Sequence, residues 1–201
     1  GTWRDSAGGT GTFVLTPGAG NGGAARPLPS GVPSTIVLRP DGGFLAGGLL
    51  GQGSVPAVGP GVRIMWYPGK AAFRAGQAVG SSWDDASIGT TSAALGLGTA
   101  ASGVASIATG MDTTASGPTS TALGNATLAS GITSTALGDN TTAAGAVSLA
   151  GGVATTASGD VSVALGVRTT ASGAFSVALG NLTTASGDAS ITDIAAARRK
   201  F

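Results

Sequence analysis

An all-β solenoid, its coils fourteen residues long and stacked in register, is the fold class that this 201-residue sequence predicts. Three observations carry the prediction. First, seven units of fourteen fill Ser92 to Ala189 without an insertion, "SVALGVRTTASGAF" and "SVALGNLTTASGDA" among them. Second, every unit has Ser first, Ala third, Gly fifth, Thr eighth, Ala tenth and Gly twelfth, so it divides into two halves reading Ser/Thr-x-Ala-x-Gly-x-x. Five residues of alternation followed by a Gly-centred turn mark a short strand. Third, the rival states fit badly. Two fixed glycines per unit would penalise a helix by about 1 kcal/mol each. A chain with 42% hydrophobic residues and a net charge of +1 also lacks the composition of disorder.

Residues 1–62 form a Gly/Pro-rich region holding seven of the nine prolines. Its β-prone runs, Thr12–Thr16, Thr35–Arg39 and Phe44–Leu50, predict short strands separated by turns. The stretch "GAGNGG" (18–23) resembles a phosphate-binding loop but has no helical pattern and no Lys–Ser/Thr pair behind it, so it reads as a flexible turn. Residues 63–91 are rich in aromatics. A solenoid needs an atypical terminal unit over its core, and Trp66, Tyr67, Phe73 and Trp83 are the candidates for that cap, or for a ligand-binding tip. Residues 92–189 are the repeats. In residues 190–201, "ITDIAAARRKF" predicts the start of a helix, with Thr192 or Asp193 as its N-cap.

Within one coil, alternation sorts the side chains. In the unit starting at Ser162, one small face carries Ser162, Ala164 and Gly166, and its counterpart carries Thr169, Ala171 and Gly173. These faces are alike and are predicted to meet inside a thin roll. The opposite faces differ. Outward places on the first strand carry Leu95, Leu123, Leu137, Leu149, Val163, Leu165, Val177 and Leu179, interrupted by Thr109, Thr121, Thr135 and Gly151. Outward places on the second strand are mostly Thr and Ser, as in Thr170 and Ser172, with Leu128 an exception. A roll filled with Ala and Ser buries little apolar area, and an apolar stripe of this length marks an interface. Self-association through the stripe follows from the pattern; the number of subunits does not.

The missing residue types limit the chemistry. There is no His, Cys or Glu, so the common transition-metal sites and the Ser–His and Cys–His nucleophile pairs are excluded. The one adjacent acid pair, Asp84–Asp85, makes a poor acid–base couple because neighbours on a strand point to opposite faces. No enzyme activity, cofactor or metal is expected. Basic residues are scattered apart from Arg198, Arg199 and Lys200, which argues against a nucleic-acid partner. No apolar run approaches the roughly 18 residues of a membrane span. With neither an initiator Met nor a signal-peptide pattern, the chain reads as a mature or trimmed product. Asn125, Asn140 and Asn181 head glycosylation-type triplets, but they read as turn residues. Asp112, Asp139, Asp160 and Asp188 read as solvated corners, and Arg168, the one basic residue in the repeats, as exposed.

The repeats resemble the YadA-like head of trimeric autotransporter adhesins, in which SVALG-type strands alternate with TTASG-type segments. Ser162–Gly166 and Ser176–Gly180 (SVALG), Ser120–Gly124 and Ser134–Gly138 (STALG), and TTASG at residues 113–117, 155–159, 169–173 and 183–187 carry the resemblance over about half of the chain. It implies a left-handed parallel β-roll in a homotrimer, on the bacterial cell surface or extracellular, with a role in adhesion. Residues 63–90 resemble the segment ahead of such repeats in bacterial and phage tail-fibre-like proteins. No coiled-coil stalk, membrane-anchor barrel or C-terminal chaperone domain is visible in these residues, which fits either a fragment or a subunit that assembles by another route.

Two functions of different class follow. One is a non-enzymatic fibre or adhesin head, whose rigid roll displays an N-terminal tip toward a surface receptor not identified by the sequence. The other is a subunit of a self-assembling extracellular filament, in which an N-terminal strand adds to the open sheet edge of a neighbouring fibre subunit. An ice-binding array fits less well, because the paired threonines are adjacent and point oppositely.

Overall fold

The fold was read from a computed structural model, which describes residues 2–4, 10–12, 35–38 and 44–193, with side chains from Ala46 onward. Near the N-terminus, β1 (Thr2–Arg4) pairs antiparallel with β2 (Thr10–Thr12), and β3 (Thr35–Leu38) with β4 (Phe44–Gly47). The second and third predicted runs thus contain strands. Of Thr12–Thr16 only Thr12 lies within the described residues, as do none of Gly18–Gly23. The predicted C-terminal helix also lies outside the described residues, beyond a last strand at Ile191–Thr192.

The body is a parallel β-solenoid of seven coils. The hairpin of β5 (Gly61–Tyr67) and β6 (Ala72–Ala78) joins its first coil, β6 running parallel to Ala93–Leu97. Each coil then has a long strand of five residues and a short strand of two, such as Val163–Val167 and Thr170–Ala171. The long strands, β5, β6 and Ile191–Thr192 make one ten-stranded sheet, and the short strands a seven-stranded one. Equivalent places pair coil to coil, Leu165 with Leu179 and Thr170 with Thr184.

The two halves of a unit read alike but do not fold alike. In the long strand Gly166 takes φ 132°, which keeps the chain extended into Val167. In the other half, Ser172 and Gly173 both donate to the Ala185 carbonyl, and Ser176 donates back to Gly173, so the strand ends after Ala171. The two predicted strands of each unit are therefore unequal, one of five residues and one of two.

The corners are corrected. Glycine was expected to centre both turns, yet the left-handed residue of each corner comes two places later. Arg168 and Phe175 have φ 53° and 57°, and their N–H groups donate to the carbonyls of Val153 and Asp160 in the preceding coil, both at 2.8 Å. A left-handed non-glycine residue costs about 1–2 kcal/mol, and the coil-to-coil hydrogen bond holds it there. The repeat glycines serve close approach, joined at the Gly166 place by a positive φ. A Cβ on Gly166 or Gly173 would collide with the carbonyl of Gly180 or Gly187 in the next coil.

The interior is a double file of alanine. Fourteen buried Ala, from Ala94 to Ala185, form one cluster, flanked by Ser and Thr columns on the inward places predicted for them. Ser106 and Ser134 donate their hydroxyls to Gly103 and Gly131 at 2.7 and 2.8 Å. Nothing larger than Thr lies inside the repeats among the fully buried side chains.

Candidate self-association face and the cap beside it

The outward face of the ten-stranded sheet is built by alternation alone. Ala164 is fully buried, which turns Val163 and Leu165 outward on the same strand. Leu95, Leu149, Val163, Leu165 and Val177 are half-buried against their neighbours in this face, while Leu123, Leu137 and Leu179 are exposed. Every predicted stripe residue therefore lies on one side of one sheet, and the parallel register brings them into columns.

The face also extends past the repeats. In β5, Met65 and Tyr67 are buried, so Val62, Ile64 and Trp66 share the outer side and continue through the Trp66–Phe73 and Ile64–Ala75 pairs. Val62 and Ile64 are 80% and 79% exposed, more than any large apolar residue within the repeats. Trp66 keeps an indole N–H that is buried without an acceptor. These residues were absent from the predicted stripe because β5 carries no repeat. The alternation Val62-x-Ile64-x-Trp66 was the signal that could have found them. Ile107, Met111, Val153, Val167 and Ile191, also exposed, complete the apolar surface.

Charge is nearly absent here. Among the outward places of these ten strands the single ionisable side chain is Asp139, which accepts a hydrogen bond from Asn125 Nδ2 at 2.6 Å. The opposite sheet differs: its outward places carry Thr114, Ser116, Thr156, Ser158, Thr170 and Ser172, all exposed or half-buried.

The four predicted cap aromatics are divided between two sides. Trp66 and Phe73 stand on the outer face, whereas Tyr67 and Trp83 pack with Met65, Ala72, Ala78 and Ile88 in a second small core. Adjacent residues in a strand cannot share a side, so Trp66 and Tyr67 had to separate. Trp83 is fully buried and donates Nε1–H to the Thr99 carbonyl at 2.8 Å. Arg63 lies over its ring, 5.4 Å from the centroid.

Arg74 occupies the inward place of β6 paired with Ala94, at the end of the alanine file. Its guanidinium is fully buried and donates to the carbonyls of Phe73, Ser92 and Ala101 and to the Ser92 hydroxyl, at 2.8–3.0 Å. Burial lowers its pKa to about 10, which leaves it charged at neutral pH. Among the described residues no carboxylate pairs with it; three carbonyls and the Ser92 hydroxyl hold the cation.

Asp84 and Asp85 lie at a short 3₁₀ turn rather than on a strand, so the predicted reason for their independence changes while the independence stays. Asp84 accepts from the Gly59 N–H at 2.6 Å. Asp85 accepts from the Tyr67 hydroxyl at 2.9 Å and pairs with Lys70 at 3.2 Å. Those two partners hold its carboxyl below the ordinary range, the Tyr67 hydrogen bond foremost, while burial and then Asp85 push the Tyr67 hydroxyl up. Within the repeats, Asp160 and Asp188 accept from the N–H groups of Ala146 and Ala174, one coil earlier, at 2.9 Å. Arg168 is exposed. Among the described residues no group of three acids is placed to hold a metal ion, and no helix is long and apolar enough to cross a membrane.

The YadA head domain repeat model, two copies long, matches residues 101–127, 115–141, 129–153, 157–183 and 171–191. No curated protein matches the chain. The model's two-copy steps follow the same fourteen-residue spacing that pairs Leu123 with Leu137 and Leu165 with Leu179.

Proposed function

We propose that the chain, which matches the YadA head domain repeat over residues 101–153 and 157–191, is the non-enzymatic head of an extracellular or cell-surface fibre. It associates with copies of itself through the ten-stranded sheet and holds its N-terminal region out as an adhesive tip. The observation that carries this reading is the outer face of that sheet, which runs from Val62 to Ile191 with Asp139 as its one ionisable group. Strand spacing and rise give the face roughly 700 Å², close to the roughly 800 Å² that each partner buries in a stable interface. A three-fold assembly fits the family of the repeats.

The Ser/Thr face of the other sheet would then remain in water, where its hydroxyls are solvated. Rigidity comes from the stacked coils, and joining copies multiplies whatever contact the tip makes.

The test is the mass of the chain in solution, by sedimentation equilibrium, beside a Leu165→Asp/Leu179→Asp variant. A wild-type trimer and a dissociated variant are the expected results. A wild-type monomer at tens of micromolar overturns the reading, and an open-ended series of larger species favours the filament subunit.

A further inference from the structure

The ten-stranded sheet ends on β5, one edge of which pairs with β6 while the other is open among the described strands. That edge, Gly61–Tyr67, is seven residues long and carries no proline or lysine of the kind that blunts an exposed edge. Exposed apolar residues gather beside it. Val62 and Ile64 are 80% and 79% exposed, and Leu49, Leu50 and Val58, in the segment leading into β5, are 62–64% exposed. β3 and β4 are open in the same way, since they pair with each other and with no third strand. Of their eight residues Thr35 alone is polar. The register sets Ile36 opposite Ala46, Leu38 opposite Phe44 and Val37 opposite Leu45, so alternation leaves both sides of the ribbon mostly apolar. A two-stranded ribbon is at best marginally stable in water, and it gains stability from a third strand.

We propose that β3 pairs antiparallel with the open edge of β5 in the same chain, so that the ribbon continues the ten-stranded sheet. The proposal concerns a single copy and goes beyond the self-association reading. The linker between the two sets the direction. The Gly51 N–H donates to the Gly69 carbonyl at 2.9 Å, which ties the linker to the Tyr67 end of β5. β4 ends at Gly47, four residues earlier, within about 14 Å of that point. Thr35 pairs with Gly47, so β3 starts at the same end and, laid along β5, runs opposite to it. In the order β5, β3, β4 the last strand lies two spacings, roughly 10 Å, from β5. That is inside the reach of the linker.

Residue types agree with this order. The half of β5 nearest the tie has Ile64 and Trp66 on its outer side and Met65 and Tyr67 on its inner side. A ribbon with apolar residues on both sides extends either surface without setting a charge into it. Leu49 and Leu50 lie between β4 and the Gly51 tie, so they are brought to the same edge. The N-terminal strands are then fixed to the roll by backbone hydrogen bonds rather than by a tether. That gives the tip a set place on the rod.

Hydrogen exchange of the full chain reads the edge, because an open edge strand leaves about every second amide unpaired. The expected result is slow exchange at all amides of residues 62–67 in the wild type. Successive N–H groups of a strand point to opposite edges, so one of Ile36→Pro and Val37→Pro removes a donor directed at β5. That variant is expected to release about half of the β5 amides, while the coils from Ala93 onward stay protected and show that the roll is folded. Fast exchange at every second β5 amide of the wild type overturns the proposal, and so does protection that neither proline changes. The chain contains no cysteine, so a Leu38→Cys/Ile64→Cys variant treated with a short bismaleimide tells whose strand covers the edge. A closed single chain is expected, whether the protein sediments as one copy or several, so a failure of self-association leaves this result standing. Cross-links that join only separate chains, or none at all, overturn the pairing.

Discussion

Arg74 donates to Ser92 twice, to its carbonyl at 3.0 Å and to its hydroxyl at 2.8 Å, and both residues are buried at the end of the alanine file. Ser92 also donates its hydroxyl to the Gly89 carbonyl at 2.6 Å, so one cation organises the entry to the first coil. Removing it takes one of two donors from the Ser92 and Ala101 carbonyls, which the Phe73 and Gly89 N–H groups still reach, and takes from the buried Ser92 hydroxyl oxygen its donor, at about 1–3 kcal/mol for an unmet buried group. Arg74→Ala is expected to destabilise the chain by roughly 2–4 kcal/mol, and Arg74→Lys by less, since an ammonium keeps the charge but not the planar fork. Urea unfolding followed by Trp fluorescence measures both. An Arg74→Ala midpoint equal to wild type would show that the cap closes without it.

The cap carries a pH dependence whose sign the geometry sets. The depressed pKa of Asp85, caused first by the Tyr67 hydrogen bond and then by Lys70, contributes stability above the unfolded carboxylate value of about 3.9. That contribution is lost as pH falls through the lower folded value. The raised pKa of Tyr67 acts at the other end, with its contribution complete below about 10 and lost as pH rises through the folded value. An acid titration of Trp83 emission is expected to show the cap loosening below pH ~4, and Asp85→Asn is expected to abolish that step. An acid midpoint unchanged by Asp85→Asn removes this carboxylate from the account.

Gly151 and Gly152 are neighbours in one strand with opposite tolerance. A Cβ on Gly152, which has φ 117°, would collide with the backbone of Gly166, and neither can move without opening the stack. A Cβ on Gly151 meets only the Leu165 side chain, at 2.8 Å, and that can rotate. Gly152→Ala is expected to cost more than about 3 kcal/mol, whereas Gly151→Ala stays within about 1 kcal/mol of wild type. Thermal melts of the pair decide it, and equal melting temperatures would contradict the stacking constraint.

Ala126 holds a corner at φ 50° and donates its N–H to the Met111 carbonyl at 2.9 Å. A left-handed alanine costs about 1–2 kcal/mol, part of which glycine returns through its freer unfolded chain. Ala126→Gly is therefore expected to stabilise the roll by about 0.5–1 kcal/mol. A lower melting temperature for the variant would mean that the corner is not strained.

Much of this was legible in the sequence because the period is strict. Ser, Ala and Thr at constant places told which side chains face inward, and the Val/Leu places told which sheet is apolar. What was not legible depends on hydrogen bonds between coils. Nothing in "TTASG" shows that Ser172 and Gly173 share one acceptor and shorten the second strand. Nothing in Phe175 announces a left-handed residue, because the conformation is imposed by the Asp160 carbonyl a coil away. The cap was read as a cluster of aromatics, but pairing in the hairpin sorts Trp66 from Tyr67. The face continued into Val62 and Ile64 where periodicity had already stopped.

The likeness of the two halves of each unit sets a rule for how this molecule can change in length. An insertion or deletion of fourteen residues shifts everything beyond it by one coil, about 4.8 Å, and leaves each side chain on its own side. One of seven residues keeps small residues inside, since both halves read Ser/Thr-x-Ala-x-Gly-x-x, yet it exchanges the two surfaces from that point on. Leu and Val would move to the hydroxyl-bearing sheet, and Thr and Ser to the apolar one. The interior can count in sevens; only the outside enforces a frame of fourteen, so fibres of this kind can lengthen only in whole coils without losing the continuity of either surface.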